Sequence, residues 1–121
     1  MHSIDFQFGP LAAALRHSLS GLAIAWRGER AFRQECLVLA ALVVALALTG
    51  AAFSRWLLVL GLWCGTMIVE LLNSAIEKTC DLVTTEFRPL IKAAKDMASA
   101  AILLSMLINV AVWSWVFFLG R

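Results

Sequence analysis

The sequence predicts an all-α integral membrane protein with an N-terminal amphipathic surface helix and three transmembrane helices. Of its 121 residues, 62% are hydrophobic and only 15% are charged, whereas about a quarter of the residues in a soluble domain are charged. The apolar residues also form long uncharged blocks, which is typical of helices in a bilayer. This length predicts a single domain over residues 1–121.

Three uncharged blocks predict the membrane spans. Residues 36–53 and 97–120 carry no charge, and each is close to the roughly 20 residues that a spanning helix needs. Residues 56–69 are also uncharged, but this block is long enough only if its helix continues past Glu70. Backbone N–H and C=O groups in lipid must form hydrogen bonds with one another, so we expect every block to be helical. The predicted transmembrane helices are about 30–50, 54–85 and 92–119.

The segment before the first span predicts a surface helix at about residues 8–27. Its large apolar residues recur at helical spacing, at Leu11, Leu15, Leu19, Leu22 and Trp26. Such a helix either lies on the membrane surface or packs on its neighbours, and the pattern leaves both interpretations open.

Basic residues predict the orientation of the chain. Eight of them precede the first span or lie near the connection between the second and third spans: Arg16, Arg27, Arg30, Arg33, Lys78, Arg88, Lys92 and Lys95. The positive-inside rule then predicts a cytoplasmic N-terminus and a C-terminus on the opposite side. The net charge of +2 is too small to indicate a nucleic-acid partner, and the basic residues suit anionic lipids and phosphates.

A stripe of carboxylates follows the second uncharged block, in the segment ELLNSAIEKTCD. At 100° per residue, Glu70, Asn73, Glu77 and Asp81 share one side of a helix. Ionisable residues within a span usually face the protein interior or a polar cavity, which makes them functional candidates. A solvated helix end accounts for Asp81, but it accounts poorly for Glu70, which has apolar residues on both sides.

Polar residues from the other helices are expected to meet this stripe at one membrane face. They are Glu29, Arg33, Gln34 and Glu35 at the start of the first span, and Lys95, Asp96 and Ser99 at the start of the third. Carboxylates bind magnesium together with substrate phosphates, lysine supplies a positive charge for phosphate, and a carboxylate can accept a hydroxyl proton. These are the components of phosphoryl transfer.

The residues alone leave three functions open. The first is a lipid kinase that uses ATP, although the sequence has neither a glycine-rich phosphate loop nor the protein-kinase motifs. The second is a small ion or proton transporter with Glu70 and Glu77 in its path. The third is a non-catalytic membrane subunit whose charges only hold helices together.

Three motifs resemble those of the prokaryotic diacylglycerol kinase family, which also contains undecaprenol kinases. They are AWRGERAFRQE at 25–35, VELLNSAIEKTCDLV at 69–83 and AKDMASAAIL at 94–103. The resemblance covers nearly the whole chain. It implies a homotrimer in the bacterial inner membrane, with active sites between subunits at the cytoplasmic face. It also implies transfer of the γ-phosphoryl group of magnesium-bound ATP to a lipid hydroxyl.

The resemblance further implies roles for residues that match the family's motifs. Glu77 would be the general base, and Glu77 and Glu29 would hold Mg²⁺. The nucleotide would be bound by Ser18, Glu29, Asn73, Glu77, Asp81, Lys95 and Asp96. The lipid would be bound by Glu70, Ser99 and Gln34. The segment before Leu15 departs from the family's pattern, so no contact is carried over to it.

The resemblance also implies a lipid acceptor. The forms AWxxExAFRQE and VExLNSAIE are more similar to the diacylglycerol kinase branch than to the undecaprenol branch. Diacylglycerol is therefore the predicted acceptor and phosphatidic acid the predicted product, with undecaprenol as the alternative. Short polar motifs do not contact the acyl chains of a lipid, so they predict no preference for acyl-chain length or type.

Overall fold

The computed structural model describes residues 2–120, with side chains from residue 9 onward, and it is helical along its length. The helices are α1 (His2–Gly28), α2 (Arg30–Thr49), α3 (Phe53–Val83) and α4 (Pro89–Ser114), followed by a π-helical turn (Trp115–Leu119). The predicted all-α class is therefore confirmed.

Three segments are long and apolar enough to cross a membrane: Arg30–Thr49, Phe53–Val83 and Pro89–Leu119. Only a third or less of the residues in the apolar part of each segment are buried inside the chain. Most of their apolar side chains therefore face outward, and each exposed Å² would cost about 25 cal/mol in water. A bilayer removes this cost, so the structure confirms the prediction of three candidate membrane spans.

A glycine cap ends the first span. Gly50 has a positive φ of 63°, a conformation that a side chain would strain. Its N–H bonds to the carbonyl of Ala47 at 3.3 Å, and the N–H of Ala51 bonds to that of Leu46 at 3.2 Å. These two bonds satisfy carbonyls left free at the helix end. The short connection that follows makes α3 an antiparallel neighbour of α2.

Two helices begin earlier than the sequence pattern predicts. The third span is expected from about residue 92, but α4 begins at Pro89. Proline suits the first position of a helix, because N–H groups in the first turn have no partner within the helix and proline has no N–H. The preceding Arg88 is extended, with φ −135° and ψ 129°, as expected before proline. Likewise α1 begins at His2, ahead of the expected residue 8, and it includes Pro10.

The helix α3 is the central element, because it packs against both α2 and α4. The buried apolar cluster joins the C-terminal half of α2 to the N-terminal half of α3 and to the chain's C-terminal turn. Its members are Leu42, Leu46, Val59, Trp63 and Val116. This cluster occupies the end of the bundle away from the exposed carboxylates of the stripe.

A buried amide joins α4 to α3 in the middle of the bundle. Asn109 is only 1% exposed, and its Nδ2 donates to the hydroxyl oxygen of Thr66 at 2.7 Å. Helices in lipid gain little from apolar contact, so such hydrogen bonds help to hold them in one arrangement.

We expect Asn109→Ala and Thr66→Val to show a coupling of about 0.6 kcal/mol, and not above about 1.7 kcal/mol. The measurement is a double-mutant cycle on the free energy of unfolding in mixed detergent. Ser114→Ala is the matched control, because that hydroxyl bonds only within its own helix, to the carbonyl of Val110. Strictly additive effects of the two substitutions would contradict a contribution from this bond.

Candidate active site

The predicted stripe occupies one side of α3, and it runs from the interior of the bundle to its surface. Glu70 and Asn73 are 7% and 8% exposed, whereas Glu77 and Asp81 further along the helix are exposed. Asn73 Nδ2 donates to Glu77 Oε1 at 3.3 Å. The stripe therefore combines an enclosed carboxylate, Glu70, with two exposed ones, Glu77 and Asp81.

Two ion pairs bring the other helices to the exposed part of the stripe. Lys78 Nζ lies 2.5 Å from Glu29 Oε1, which links α3 to the junction of α1 and α2. Lys95 Nζ lies 2.8 Å from Asp81 Oδ1, which links the start of α4 to the end of α3. We call this end of the bundle the charged end, defined by Glu29, Glu77, Lys78, Asp81 and Lys95.

Arg33 fixes the corner that carries Glu29. Its Nη1 donates to the carbonyls of Trp26 at 2.9 Å and Arg27 at 3.2 Å. The last carbonyls of a helix have no partner within it, so this guanidinium caps α1. Glu29 alone separates α1 from α2, and its backbone is extended, with φ −116° and ψ 107°. The capped corner therefore holds Glu29 against Lys78.

The Lys95–Asp81 pair is accessible to a ligand. The two side chains are 39% and 57% exposed, and surface ion pairs contribute only about 0–1 kcal/mol. An incoming phosphate can therefore replace Asp81 as the partner of Lys95 at little cost in stability.

Asp96 is directed toward Lys92 and not toward the stripe. Its Oδ2 lies 2.5 Å from Lys92 Nζ, one helical turn earlier. A surface cavity of about 400 Å³ lies beside this pair and is lined in part by Arg88, Lys92 and Lys95. The carboxylates of Glu86 and Asp96 line the same cavity, so its charges are mixed and do not define an anion site.

The remaining predicted residues differ in placement. Ser18 lines a groove of about 470 Å³ between α1 and α3, together with Glu29 and Lys78, and its hydroxyl donates to the carbonyl of Ala14 within α1. Its predicted contact with the nucleotide stays a prediction. Gln34 and Ser99 are exposed, and within the described part of the chain neither is hydrogen-bonded to the stripe. Their predicted contacts with lipid stay predictions.

The carboxylates at the charged end fit a magnesium ion that arrives with a nucleotide. Both Glu29 and Glu77 are neighbours of Lys78, since Glu29 pairs with its Nζ and Glu77 directly precedes it on α3. Among the residues that the structure describes, no group of three or more His, Cys, Asp or Glu side chains could hold a metal. Magnesium commonly takes one or two carboxylates and completes its shell with phosphate oxygens and water.

The sequence pattern gives Lys78 a part only in predicting the orientation, although its charge beside Glu77 is a signal that could have placed it in the site. Glu35 is predicted to lie where the helix ends meet, and the structure encloses it, with 4% of its surface exposed.

The fold indicates a small polytopic membrane protein, and its carboxylate and lysine side chains gather at one end of the bundle. The model of the family described as prokaryotic diacylglycerol kinase matches residues 16–117, so the chain belongs to that family. The chain is 42% identical over 107 residues to the diacylglycerol kinase of Helicobacter pylori, covering 88% of this chain and 83% of the relative.

Two further relatives agree with this assignment. The diacylglycerol kinase of Escherichia coli K12 is 43% identical over 107 residues, with 88% of this chain and 87% of the relative covered. That of Pseudomonas aeruginosa is 41% identical over 101 residues, with 84% and 82% covered. The family predicted from the three motifs is confirmed, and its matched range contains every predicted site residue. Membership favours neither the transporter nor the non-catalytic subunit.

Proposed function

We propose that this chain is a diacylglycerol kinase, which transfers the γ-phosphoryl group of ATP to the free hydroxyl of diacylglycerol and forms phosphatidic acid. Membership of the family supports this reaction and acceptor. The stripe on α3 is the observation that carries the site, because it joins the buried Glu70 to the exposed Glu77 on one helix face. A reaction between a membrane lipid and a water-soluble nucleotide requires such a boundary site.

Glu77 is proposed to accept the proton of the attacking hydroxyl. The lipid oxygen bonds to the γ-phosphorus, the bond from that phosphorus to the β–γ bridging oxygen breaks, and ADP leaves with the bridging oxygen. The amide of Asn73, 3.3 Å from Glu77 Oε1, orients the carboxylate that takes the proton. General-base catalysis of this kind contributes about 10²–10⁴-fold.

The lipid headgroup is proposed to lie against Glu70, with Ser99 and Gln34 as further contacts. Glu70 precedes Glu77 by two helical turns, or about 10 Å along the axis. This offset lets the acyl chains remain in the bilayer while the hydroxyl approaches Glu77. Positioning of this kind supplies much of the catalysis in phosphoryl transfer.

The nucleotide is proposed to bind across the charged end. Lys95 offsets negative charge on the transferring group after its exposed pair with Asp81 opens. Electrostatic stabilisation by such preplaced cations is a large term in phosphoryl transfer. The residues proposed to bind the nucleotide are Ser18, Glu29, Asn73, Glu77, Asp81, Lys95 and Asp96.

Glu29 and Glu77 are the residues proposed to hold Mg²⁺, which when bound neutralises charge on the phosphates. We expect Glu29→Gln to raise the magnesium concentration that gives half-maximal activity at least about tenfold. Mutation of a residue that only hydrogen-bonds to a metal ligand already lowers metal affinity about 10–100-fold, and loss of a ligand should cost at least as much. Titration of magnesium at fixed ATP measures this. Glu86→Gln is the control, since its carboxylate is 77% exposed and lies 3.6 Å from Arg88 at the surface. An unchanged requirement would remove Glu29 from the site.

The proposed assembly is a homotrimer in the bacterial inner membrane, with the charged end in the cytoplasm. The concentration of lysine and arginine near this end supports the orientation. Three spans are too few to enclose both a lipid headgroup and a nucleotide, and the exposure of Glu77 and Asp81 supports completion of the site by another subunit. Crosslinking in native membranes is expected to give trimers, and monomers alone would contradict the proposal.

The helix α1 is proposed to lie on the membrane surface. Its large apolar side chains remain 44–68% exposed in the chain: Leu11, Leu15, Leu19, Leu22 and Trp26. An apolar helix face of this kind binds at the boundary between lipid headgroups and acyl chains.

The acceptor is tested by offering diacylglycerol and undecaprenol in parallel, in mixed micelles with ATP and magnesium. We expect product mainly from diacylglycerol. Product mainly from undecaprenol would keep the mechanism and change the acceptor. No product from either lipid with folded protein, combined with ion flux in sealed vesicles without ATP, would instead support a transporter.

A further inference from the structure

Lys78 is a cation at the charged end that the proposed reaction does not use. Its Nζ lies 2.5 Å from Glu29 Oε1, and Lys78 directly follows Glu77 on α3. The lysine therefore contacts one of the two carboxylates proposed to hold Mg²⁺ and adjoins the other in the chain. A positive charge in this place competes with a metal ion for the carboxylate of Glu29.

The pair of Lys78 and Glu29 joins two different parts of the fold and is free to open. Glu29 lies at the corner between α1 and α2, which Arg33 caps, whereas Lys78 lies on α3. The side chains of Lys78 and Glu29 are 59% and 23% exposed, and ion pairs that reach water contribute little to stability. The flexible stem of the lysine can therefore leave Glu29 while the helices stay in place.

A groove beside the pair leaves room for a ligand. This groove of about 470 Å³ between α1 and α3 is lined largely by apolar residues, and Glu29 and Lys78 belong to its polar part. Of the described residues that line it, Lys78 alone carries a positive charge. An anionic group that reaches this groove therefore meets the ammonium group of Lys78.

One phosphate chain can reach both Lys78 and Lys95. Lys95 Nζ lies 2.8 Å from Asp81 Oδ1, and Asp81 follows Lys78 by three residues on α3. Side chains three residues apart are neighbours on a helix surface. The two lysines therefore stand at neighbouring positions of α3, although one pairs with the α1–α2 corner and the other comes from α4.

We propose that Lys78 neutralises Glu29 until the metal binds, and then moves to a phosphate of the nucleotide. The inference rests on the proposed function, in which Glu29 holds Mg²⁺ and ATP binds at the charged end. The exchange keeps every charge paired, because Glu29 replaces one cation by another and Lys78 replaces a carboxylate by a phosphate. Since Lys95 is proposed to act on the transferring group, Lys78 is assigned to a phosphate that leaves with ADP.

Metal binding without ATP tests the first half of the exchange independently of activity. The probe is Mn²⁺ in place of Mg²⁺, with the free ion measured by electron paramagnetic resonance. We expect Lys78→Met to bind Mn²⁺ about three- to tenfold more tightly than the unmodified protein, because the competing cation is gone. Arg88→Met is the control, since it removes an exposed cation that pairs with Glu86, and its affinity for Mn²⁺ should stay within about twofold.

Steady-state kinetics at saturating magnesium test the second half. We expect Lys78→Met to raise the KM for ATP about tenfold, the effect of losing a hydrogen bond to a charged group. The kcat should stay within about threefold, because a phosphate that is not transferred is bound equally in the ground state and the transition state. Lys78→Arg keeps the charge and the donors, so its KM for ATP should stay within about threefold of the unmodified value.

The direction of the change in Mn²⁺ affinity separates this exchange from a structural role. If Lys78 only held Glu29 in position, Lys78→Met would bind Mn²⁺ more weakly, and that result or an unchanged affinity would overturn the inference. An unchanged KM for ATP would overturn the contact with phosphate. If Lys78→Met does not fold, Lys78→Gln removes the charge, keeps a polar side chain and gives the same two comparisons.

Failure of the inference is distinguishable from failure of the proposed function. An unmodified protein that does not phosphorylate diacylglycerol would contradict the proposed function. The Mn²⁺ measurement requires no catalysis, so it would still decide whether Lys78 competes with a metal ion for Glu29.

Discussion

Glu77→Gln is expected to lower kcat for phosphate transfer to diacylglycerol by about 10³-fold, within the range that a general base contributes. The substitution keeps the size of the side chain and a partner for Asn73, whose Nδ2 lies 3.3 Å from Glu77 Oε1. It removes the carboxylate that accepts the hydroxyl proton and helps to hold magnesium. Rates of phosphatidic acid formation at saturating ATP, magnesium and lipid give the measurement.

Glu86→Gln is the matched control for this substitution. Glu86 is 77% exposed and lies 3.6 Å from Arg88, so its variant is expected to retain full activity. If the folded Glu77→Gln variant forms phosphatidic acid at the rate of the unmodified protein, another group accepts the proton.

Lys95→Met is expected to lower kcat by about 10²–10³-fold, the effect of removing one preplaced group that stabilises developing charge. The methionine keeps most of the apolar stem of the lysine and removes its charge. Because the Lys95–Asp81 pair is exposed and contributes little to stability, the loss should appear in the rate and not in the melting temperature.

Lys92→Met supplies the comparison for Lys95. Lys92 lies one turn earlier on α4 and pairs with Asp96 at 2.5 Å, with both side chains more than half exposed. Its charge is directed away from the stripe, so we expect a change of no more than about threefold. Equal losses at Lys92 and Lys95 would indicate a general electrostatic effect instead of a specific phosphate contact.

Helical periodicity was sufficient to predict the stripe. Glu70, Asn73, Glu77 and Asp81 are separated by three and four residues, and any regular helix places them on one side. The same spacing brings Asn73 within hydrogen-bond distance of Glu77. The three spans could be predicted for a similar reason, since uncharged blocks of the right length have few alternatives in lipid.

The partners across helices could not be predicted from periodicity. Glu29 and Lys78 are 49 residues apart, and they meet because Arg33 caps α1 and sets the corner between α1 and α2. Helical spacing carries no information about that corner. The enclosure of Glu35 depends in the same way on how α2 packs against Trp63.

One partner could have been predicted but was not. Asp96 lies four residues after Lys92, which is the standard spacing for an ion pair along a helix. The sequence interpretation assigned Asp96 to the nucleotide phosphates, whereas the structure pairs it with Lys92. Its proposed contact with a nucleotide therefore requires that this exposed pair opens.

The central claim is that the charged end of this chain phosphorylates diacylglycerol. Phosphorus NMR of the purified protein in mixed micelles with ATP, magnesium and diacylglycerol tests it most directly, because ATP, ADP and phosphatidic acid give separate signals. The account predicts one phosphatidic acid for each ADP formed, and no ADP when the lipid is omitted. ADP without phosphatidic acid, or no conversion by folded protein, would contradict it.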